Sequence, residues 1–165
     1  MKFSTKERYG LRALIDLAVH SDDAEPVSIS SIAGRQDISE AYLEQLMAKL
    51  KRAGLVVSSR GAQGGYKLAK PAEEISVGDV LRAVEGNLDA VSCPGLSTEG
   101  CEGSEVCVSK YVWQRINDSI ARTVDGIRLD KLVEESRSAW EKFRKPGAGC
   151  SVRKEQADGL SEKER

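Results

Sequence analysis

The sequence predicts a mostly α-helical fold with one small β-hairpin, followed by a long additional helix. Three segments with apolar side chains at helical spacing precede two short β-branched segments joined by a glycine-rich turn. A further apolar stripe, over residues 112–127, is too long for a small domain to cover by itself. We therefore divide the chain into residues 1–72, with the three helices and the hairpin, residues 73–137, with a helix, a cysteine loop and the long helix, and residues 138–165, expected to be a disordered tail.

The distribution of charge excludes one class of protein and is uneven along the chain. A uniformly basic nucleic-acid coat protein is excluded, because 25 Lys and Arg stand against 26 Asp and Glu. The net charge is nevertheless +3 over residues 1–70, −7 over 71–109 and +3 over 110–165. Charge-free stretches reach nine residues, whereas a membrane span needs about 20. Without an apolar N-terminal leader either, we expect a cytoplasmic protein with reduced cysteines and no membrane contact.

The first two helices have clear start signals. Ser4 and Glu7 are spaced as a capping box, and an apolar stripe follows as far as His20. His20 is the only histidine, and its place at a helix C-terminus favours an interaction with the helix dipole over metal binding. Ser28 is the expected N-cap of a second, shorter helix.

A third helix carries side chains suited to reading DNA. Ser39 is its expected N-cap, and its inward face is Leu43, Leu46, Met47 and Leu50. The opposite face presents small and polar residues: Ala41, Gln45, Ala48 and Arg52, flanked by Glu44 and Lys49. Gln and Glu can read adenine and cytosine edges, while Lys and Arg suit phosphates or guanine.

The two short strands complete a winged helix–turn–helix. LVVSS and YKLAK are joined by RGAQGG, with Arg60 at the entry of the turn. In this fold the third helix enters the major groove, and the hairpin wing brings Arg60 to phosphates or the minor groove. Residues 45–72 carry six basic side chains and no acidic one. This favours DNA over a merely solvated charged face or a winged helix used only for protein contacts.

Three cysteines lie in one loop after a fourth helix that begins at Ser76. Cys93, Cys101 and Cys107 are separated by glycines and proline rather than placed on an apolar stripe. The closely spaced cysteine pairs of structural zinc sites are absent, whereas iron–sulfur clusters accept more varied spacing. From spacing alone, a cluster, zinc, a thiol redox switch and inert thiols all stay open. Cys150 is isolated in the tail and is interpreted as a free thiol.

The long helix is predicted to pair with a second copy. Val112, Ile116, Ile120, Val124 and Ile127 recur every three to four residues. A homodimer is the simplest way to cover such a stripe. The alternative is packing on its own domain.

With these motifs in place, the sequence resembles the iron–sulfur cluster regulator family, the IscR-like winged-helix repressors, over residues 1–137. The resemblance is carried by STKERYGLRAL, AYLEQLMAKLKRAGLV, SSRGAQGGYKLAK and the three-cysteine loop. It implies homodimeric transcription regulators that bind palindromic operators in double-stranded DNA. It also implies a 2Fe–2S or 4Fe–4S cluster whose state changes DNA affinity. The positions that correspond to cluster ligands are Cys93, Cys101 and Cys107, and those that touch DNA are Tyr42, Glu44, Gln45 and Arg60; Lys49 and Arg52 are added from the helix geometry.

One position departs from the family pattern. Members with a histidine ligand carry it three residues after the last cysteine, where this sequence has Lys110. A protonated ammonium has no lone pair for iron. The cluster type and the fourth ligand therefore stay open. Candidates for that ligand are a loop carboxylate, Glu7 or a neighbouring residue of a second copy, Cys150 or a small external ligand, the carboxylates being Glu99, Glu102 and Glu105.

Two rival functions and one exclusion complete the interpretation. The same DNA-binding regulator could use zinc or a thiol redox switch, or the chain could be a small iron–sulfur electron carrier. The electron carrier has no use for a wing or a basic third helix. An enzyme is not expected, because the sequence has no nucleophile–histidine pairing, no paired catalytic carboxylates and no phosphate-binding glycine loop before a helix.

Overall fold

Within the described part of the chain, the fold consists of six α-helices and a two-stranded hairpin. The computed structural model describes residues 4–21, 25–61, 64–96 and 100–144. The elements are α1 (Thr5–His20), α2 (Ile29–Gln36), α3 (Glu40–Arg52), β1 (Val56–Ser59), β2 (Gly65–Leu68), α4 (Val77–Glu85), α5 (Ser109–Gly126) and α6 (Leu129–Arg144). Short 3-10 turns lie at Ala72–Glu74 and Pro94–Leu96. The mostly α-helical class with a hairpin wing is thus confirmed.

Serine side chains cap the four helices whose starts were predicted. Ser4 and Glu7 form the expected capping box at α1, and Ser76 and Asp79 form another at α4. Ser28 and Ser39 accept hydrogen bonds from backbone N–H groups of α2 and α3. Each cap satisfies a donor that the first helical turn leaves free.

The turn between α2 and α3 is tight. Asp37 adopts the left-handed conformation, with φ 53°, and its N–H bonds to the carbonyl of Ala33. A short polar side chain tolerates this conformation better than a bulky one. The turn sets the direction in which α3 leaves α2.

The hairpin is joined to the helices by a third backbone segment. β1 and β2 pair antiparallel in the register Val56↔Leu68 to Ser59↔Gly65. Val27 bridges to Tyr66 through two backbone hydrogen bonds of 2.9 and 2.8 Å. A Cβ at Gly65 would lie 2.3 Å from the Val27 carbonyl oxygen, so this approach requires glycine.

One main hydrophobic core spans α1 to α4 and continues into α6. Its fully buried members come from both sides of the predicted boundary at residue 72 and include Leu14, Leu17, Ile32, Leu43, Met47, Leu50, Ile75, Val80 and Leu129. The winged helix and the following segment are therefore packed as one unit over the described residues.

The long helix α5 is only lightly held by its own chain. Of its stripe, Val124 alone is buried, against Val77 and Leu81 of α4. Val112 and Ile116 are 52% and 37% exposed. The long helix predicted from this stripe is confirmed.

The last helix, α6, extends into the segment that was expected to be a disordered tail. α6 runs to Arg144, so residues 138–144, which were assigned to a disordered tail, are helical. The expectation was wrong there because it relied on apolar periodicity, whereas Glu, Lys, Arg and Ala sustain a helix by intrinsic propensity. Residues 145–165, with Cys150, lie outside the described residues.

Candidate DNA-binding surface and cysteine loop

The outer face of α3 has the composition and exposure that its sequence predicted. Its four inward residues are buried, from Leu43 to Leu50. The exposed residues are Ala41, Glu44, Gln45, Ala48, Lys51 and Arg52. Two alanines let a second surface come close, and the side chains of Glu44, Gln45 and Arg52 project around them. This face can approach base edges and phosphates together.

Tyr42 is fixed rather than freely exposed. It is half-buried, and its ring meets that of Tyr9 edge to face, with centroids 6.1 Å apart. Arg12 lies over the other aromatic ring, 5.3 Å from the centroid of Tyr9. The Tyr42 hydroxyl is thereby presented from a rigid aromatic pair.

Lys49 occupies a different environment from its neighbours on α3. It is half-buried, and its ammonium donates a hydrogen bond of 2.5 Å to the carbonyl oxygen of Val84 in α4. Helical spacing predicted that Lys49 lies on the DNA-reading flank of α3. In the structure it joins two helices.

The wing presents Arg60 at its tip. Arg60 is exposed directly after β1, where Gly61 turns the chain with φ 119°. Lys51 of α3 donates a 2.5 Å hydrogen bond to the hydroxyl of Ser58 in β1. This hydrogen bond joins α3 to the wing, so the basic side chains of both lie on elements in direct contact.

A buried carboxylate ties α2 to α1, which sequence reasoning missed. Asp16 is 6% exposed and accepts hydrogen bonds of 2.7 to 3.0 Å from Arg35 and one of 3.0 Å from Gln36. Arg12 also donates to the Gln36 side chain and backbone. A signal that could have found it is a charged residue among the apolar Leu14, Leu17 and Ala18, which are buried, since buried carboxylates are normally paired.

A second ion pair, also missed, connects α4 to α5. One guanidinium nitrogen of Arg82 lies 2.6 Å from both carboxylate oxygens of Asp125. A Cβ at Gly78 would lie 1.9 Å from Asp125 Oδ1, so the pair sits where α4 has no side chain. No sequence signal pairs residues so far apart.

The cysteine loop is anchored to the start of α5 and to its middle. The side chain of Asn117 accepts from the N–H of Ala90 at 3.0 Å and donates to the carbonyl of Val91 at 3.3 Å. Lys110 donates to the carbonyl of Ser104. Both anchors come from α5, so the position of the loop depends on that helix.

The three predicted cysteines are free thiols. Cys101 is exposed, while Cys93 and Cys107 are half-buried. A hydrogen bond from Ser109, whose hydroxyl lies 3.1 Å from Cys107 Sγ, lowers the pKa of Cys107, and the Lys110 backbone N–H adds to the effect. The thiolate is the form that binds metals and acts as a nucleophile.

The described residues do not gather these groups into one centre. No three His, Cys, Asp or Glu side chains among residues 4–21, 25–61, 64–96 and 100–144 lie close enough together to hold a metal ion. The chemistry of the donor set nevertheless fits an iron–sulfur cluster, which is bound by cysteine thiolates.

A helix needs about 20 consecutive apolar residues to span a lipid bilayer. Within the described part of the chain, every helix is too short or too polar for that role.

Comparison with known proteins places these features in a family. Residues 3–135 match the Rrf2 family model, described as an iron-dependent transcriptional regulator. The HTH-type transcriptional regulator IscR of Pectobacterium carotovorum subsp. carotovorum (strain PC1) is 44% identical over 133 residues, which cover 81% of this chain and 79% of that protein.

Two solved structures share the fold. T. potens IscR is 43% identical, with a TM-score of 0.67, over 84% of this chain and 90% of that one. CymR of B. subtilis, described as the global cysteine regulator, is 38% identical with a TM-score of 0.67, over 82% and 98% of the two chains. These relatives are regulators rather than enzymes. The chain thus belongs to the Rrf2 family of iron-dependent transcriptional regulators and is itself a DNA-binding winged-helix transcription regulator.

Proposed function

We propose that this protein is a homodimeric regulator whose affinity for a palindromic operator is switched by an iron–sulfur cluster bound to Cys93, Cys101 and Cys107. The observation that carries the proposal is the attachment of the three-thiol loop to α5 through Asn117. That helix exposes most of its apolar stripe. Ligand site and dimer contact would then share one element. We expect the protein to work in the cytoplasm.

DNA reading is assigned to α3 and to the wing. Gln45 and Glu44 are the base-reading candidates, because both are exposed beside small residues. Arg52 and Arg60 are candidates for phosphate contacts or, for Arg60, the minor groove. Tyr42 is positioned by its contact with Tyr9 to touch the backbone of the same site.

A homodimer explains why the operator is expected to be palindromic. Two copies joined through Val112, Ile116 and Ile120 of α5 would present two α3 helices related by a twofold axis. Half-sites about one DNA turn apart, roughly 34 Å, suit such a pair. Each half-site is then read by one copy.

The cluster proposal follows from the donor chemistry of the loop. A thiolate-bound iron–sulfur centre would supply a redox-active group that responds to iron supply or oxidation. Lys110 is not a candidate ligand, since its ammonium donates to the Ser104 carbonyl. Glu7 of a second copy is also a weak candidate, because Glu7 is buried and its carboxylate accepts from the backbone of Ser4. The exposed Glu102 and Glu105 stay available.

The switch requires different DNA affinities in two states of the dimer. Occupancy of the loop would alter how the segment around Ala90 and Val91 sits on α5, and α5 connects the two copies. A change there moves the two α3 helices relative to one another. The regulatory output is the difference in operator affinity between those states.

The test is anaerobic purification followed by reconstitution with iron and sulfide. We expect a coloured protein with matching iron and sulfide counts, and salt-dependent binding to promoter DNA that changes when the cluster is removed. Replacement of Cys101 by Ala should bleach the protein while it stays folded. A colourless wild-type protein after reconstitution would contradict the cluster, and no DNA binding in either form would contradict the operator.

A thiol redox switch is the second candidate, favoured by the lowered pKa of Cys107. It keeps the DNA function and predicts operator affinity that responds to dithiothreitol in metal-free protein. Metal analysis distinguishes a zinc site from the iron–sulfur cluster and from the metal-free thiol switch. A small iron–sulfur electron carrier would bind the cluster and leave promoter DNA unbound at every salt concentration.

A further inference from the structure

The contact of Lys49 with α4 conflicts with a role in touching DNA. The α4 helix ends at Glu85, so the carbonyl of Val84 has no N–H partner within the helix. Lys49 supplies that partner across 35 residues of sequence, at 2.5 Å. A cation at a helix C-terminus is further stabilised by the helix dipole. The hydrogen bond and the helix dipole therefore both hold the ammonium at the C-terminal end of α4.

The same helix is tied at another point to α5. Arg82 and Asp125 form the ion pair described above, with Gly78 leaving room for it. The methyl groups of Val84 also pack on α1, where a Cβ at Gly10 would lie 2.9 Å from Val84 Cγ1. The last two turns of α4 thus contact α1, α3 and α5 at once.

We propose that Lys49 is a positioning residue, which fixes the DNA-reading helix α3 on α4, rather than a phosphate or base contact. The inference rests on the proposed operator binding and reassigns one residue of that surface. Through Arg82 and Asp125, the position of α3 is then linked to α5, the helix that carries the cysteine loop. Loss of the Lys49 bond would loosen α3 without removing a charge from the DNA interface.

Three variants of α3 distinguish the two roles. Lys49→Met keeps the aliphatic stem and removes the donor. Lys51→Met is the matched control, because Lys51 lies on the same helix and donates to Ser58 of β1 instead of α4. Arg52→Gln is the reference for a phosphate contact, since Arg52 is exposed on the outer face.

The first measurement is amide hydrogen exchange of the free protein over residues 82–86. Lys49→Met should accelerate exchange in this last turn of α4, because the helix end loses its tie to α3 and opens more often, while Lys51→Met should leave the rate unchanged. Equal rates in Lys49→Met and wild type would overturn the proposal. This arm needs no DNA, so it stays informative if operator binding itself fails.

The second measurement is operator affinity over a series of salt concentrations. Removing a phosphate contact lowers the slope of log affinity against log salt by about 1, and this is the result expected for Arg52→Gln. Lys49→Met should weaken binding by roughly tenfold, which corresponds to the free energy of one hydrogen bond from a charged group. The slope should stay unchanged. A slope reduced by about 1 in Lys49→Met would identify a phosphate contact instead.

Discussion

At the scale of single residues, Cys107 is held in an environment that favours its thiolate. The Ser109 hydroxyl lies 3.1 Å from the sulfur, and this hydrogen bond is the largest cause of the lowered pKa. The Lys110 backbone N–H also points to the thiol, and its ammonium adds a favourable charge. Hydrogen bonds to the charged form always shift the equilibrium toward it.

Replacement of Ser109 by Ala should raise the pKa of Cys107. Because only the thiolate reacts, the pH profile of iodoacetamide labelling of Cys107 in cluster-free protein should move to higher pH. Mass spectrometry of the labelled peptide measures this shift. Ser119→Ala on the same helix is the control, since Ser119 bonds to the carbonyl of Arg115 instead. An unmoved profile in Ser109→Ala would contradict the assignment of Ser109 as the main cause.

At the scale of elements, Asp16 holds α2 against α1 and so orients the helix–turn–helix. Asp16→Asn leaves the shape intact but removes the charge that pairs with Arg35. We expect a loss of about 2 kcal/mol in the free energy of unfolding, because the carboxylate is buried and the guanidinium only partly so. Urea unfolding at fixed protein concentration measures it.

The control for Asp16 is Glu73→Gln, an exposed acidic residue in the 3-10 turn before α4. It should change the free energy of unfolding by less than about 0.5 kcal/mol. Operator affinity should fall in Asp16→Asn alone, since a less fixed α2 also loosens α3. Equal stability of the two variants would show that the tie to α2 contributes nothing.

The elements also show what the sequence could predict. Helix starts were found because a cap joins a side chain to an N–H only a few residues away, as at Ser4 and Ser76. The buried face of α3 followed from its period. The C-terminal end of α6, residues 138–144, was assigned to the tail because its charged residues gave no clear continuation of the apolar stripe.

The ties between elements could not be predicted in the same way. Asp16 meets Arg35 across 19 residues, Lys49 meets Val84 across 35, and Arg82 meets Asp125 across 43. A periodic pattern indicates which face of a helix is apolar. It does not indicate which group on another element a polar side chain of that helix will contact. For the same reason the cysteine loop was recognised by residue type, while the anchor at Asn117 was found only in the structure.

At the scale of the whole molecule, the uneven charge and the exposed stripe of α5 favour a twofold assembly. The segment 71–109 carries a net charge of −7, whereas the basic stretch 45–72, which holds the C-terminal part of α3 and the wing, has no acidic residue. Repulsion from phosphates would keep the acidic segment off the DNA while α3 and the wing bind. The exposed side chains of Tyr111, Val112 and Ile116 then remain for a second copy.

Ile116→Glu should convert the proposed dimer into a monomer, because it would bury an unpaired carboxylate in the apolar contact. Sedimentation equilibrium measures the mass, and circular dichroism should show unchanged helix content, since Ile116 lies outside both hydrophobic clusters found among the described residues. Operator affinity should fall by about 100-fold or more, because each monomer would bind a single half-site without the gain from the second. Gln114→Glu is the control: it adds the same charge at an exposed position on another face of α5 and should stay dimeric. A dimeric Ile116→Glu protein would mean that the two copies meet elsewhere, and the link between the cysteine loop and the spacing of the two α3 helices would then have to run through a different surface.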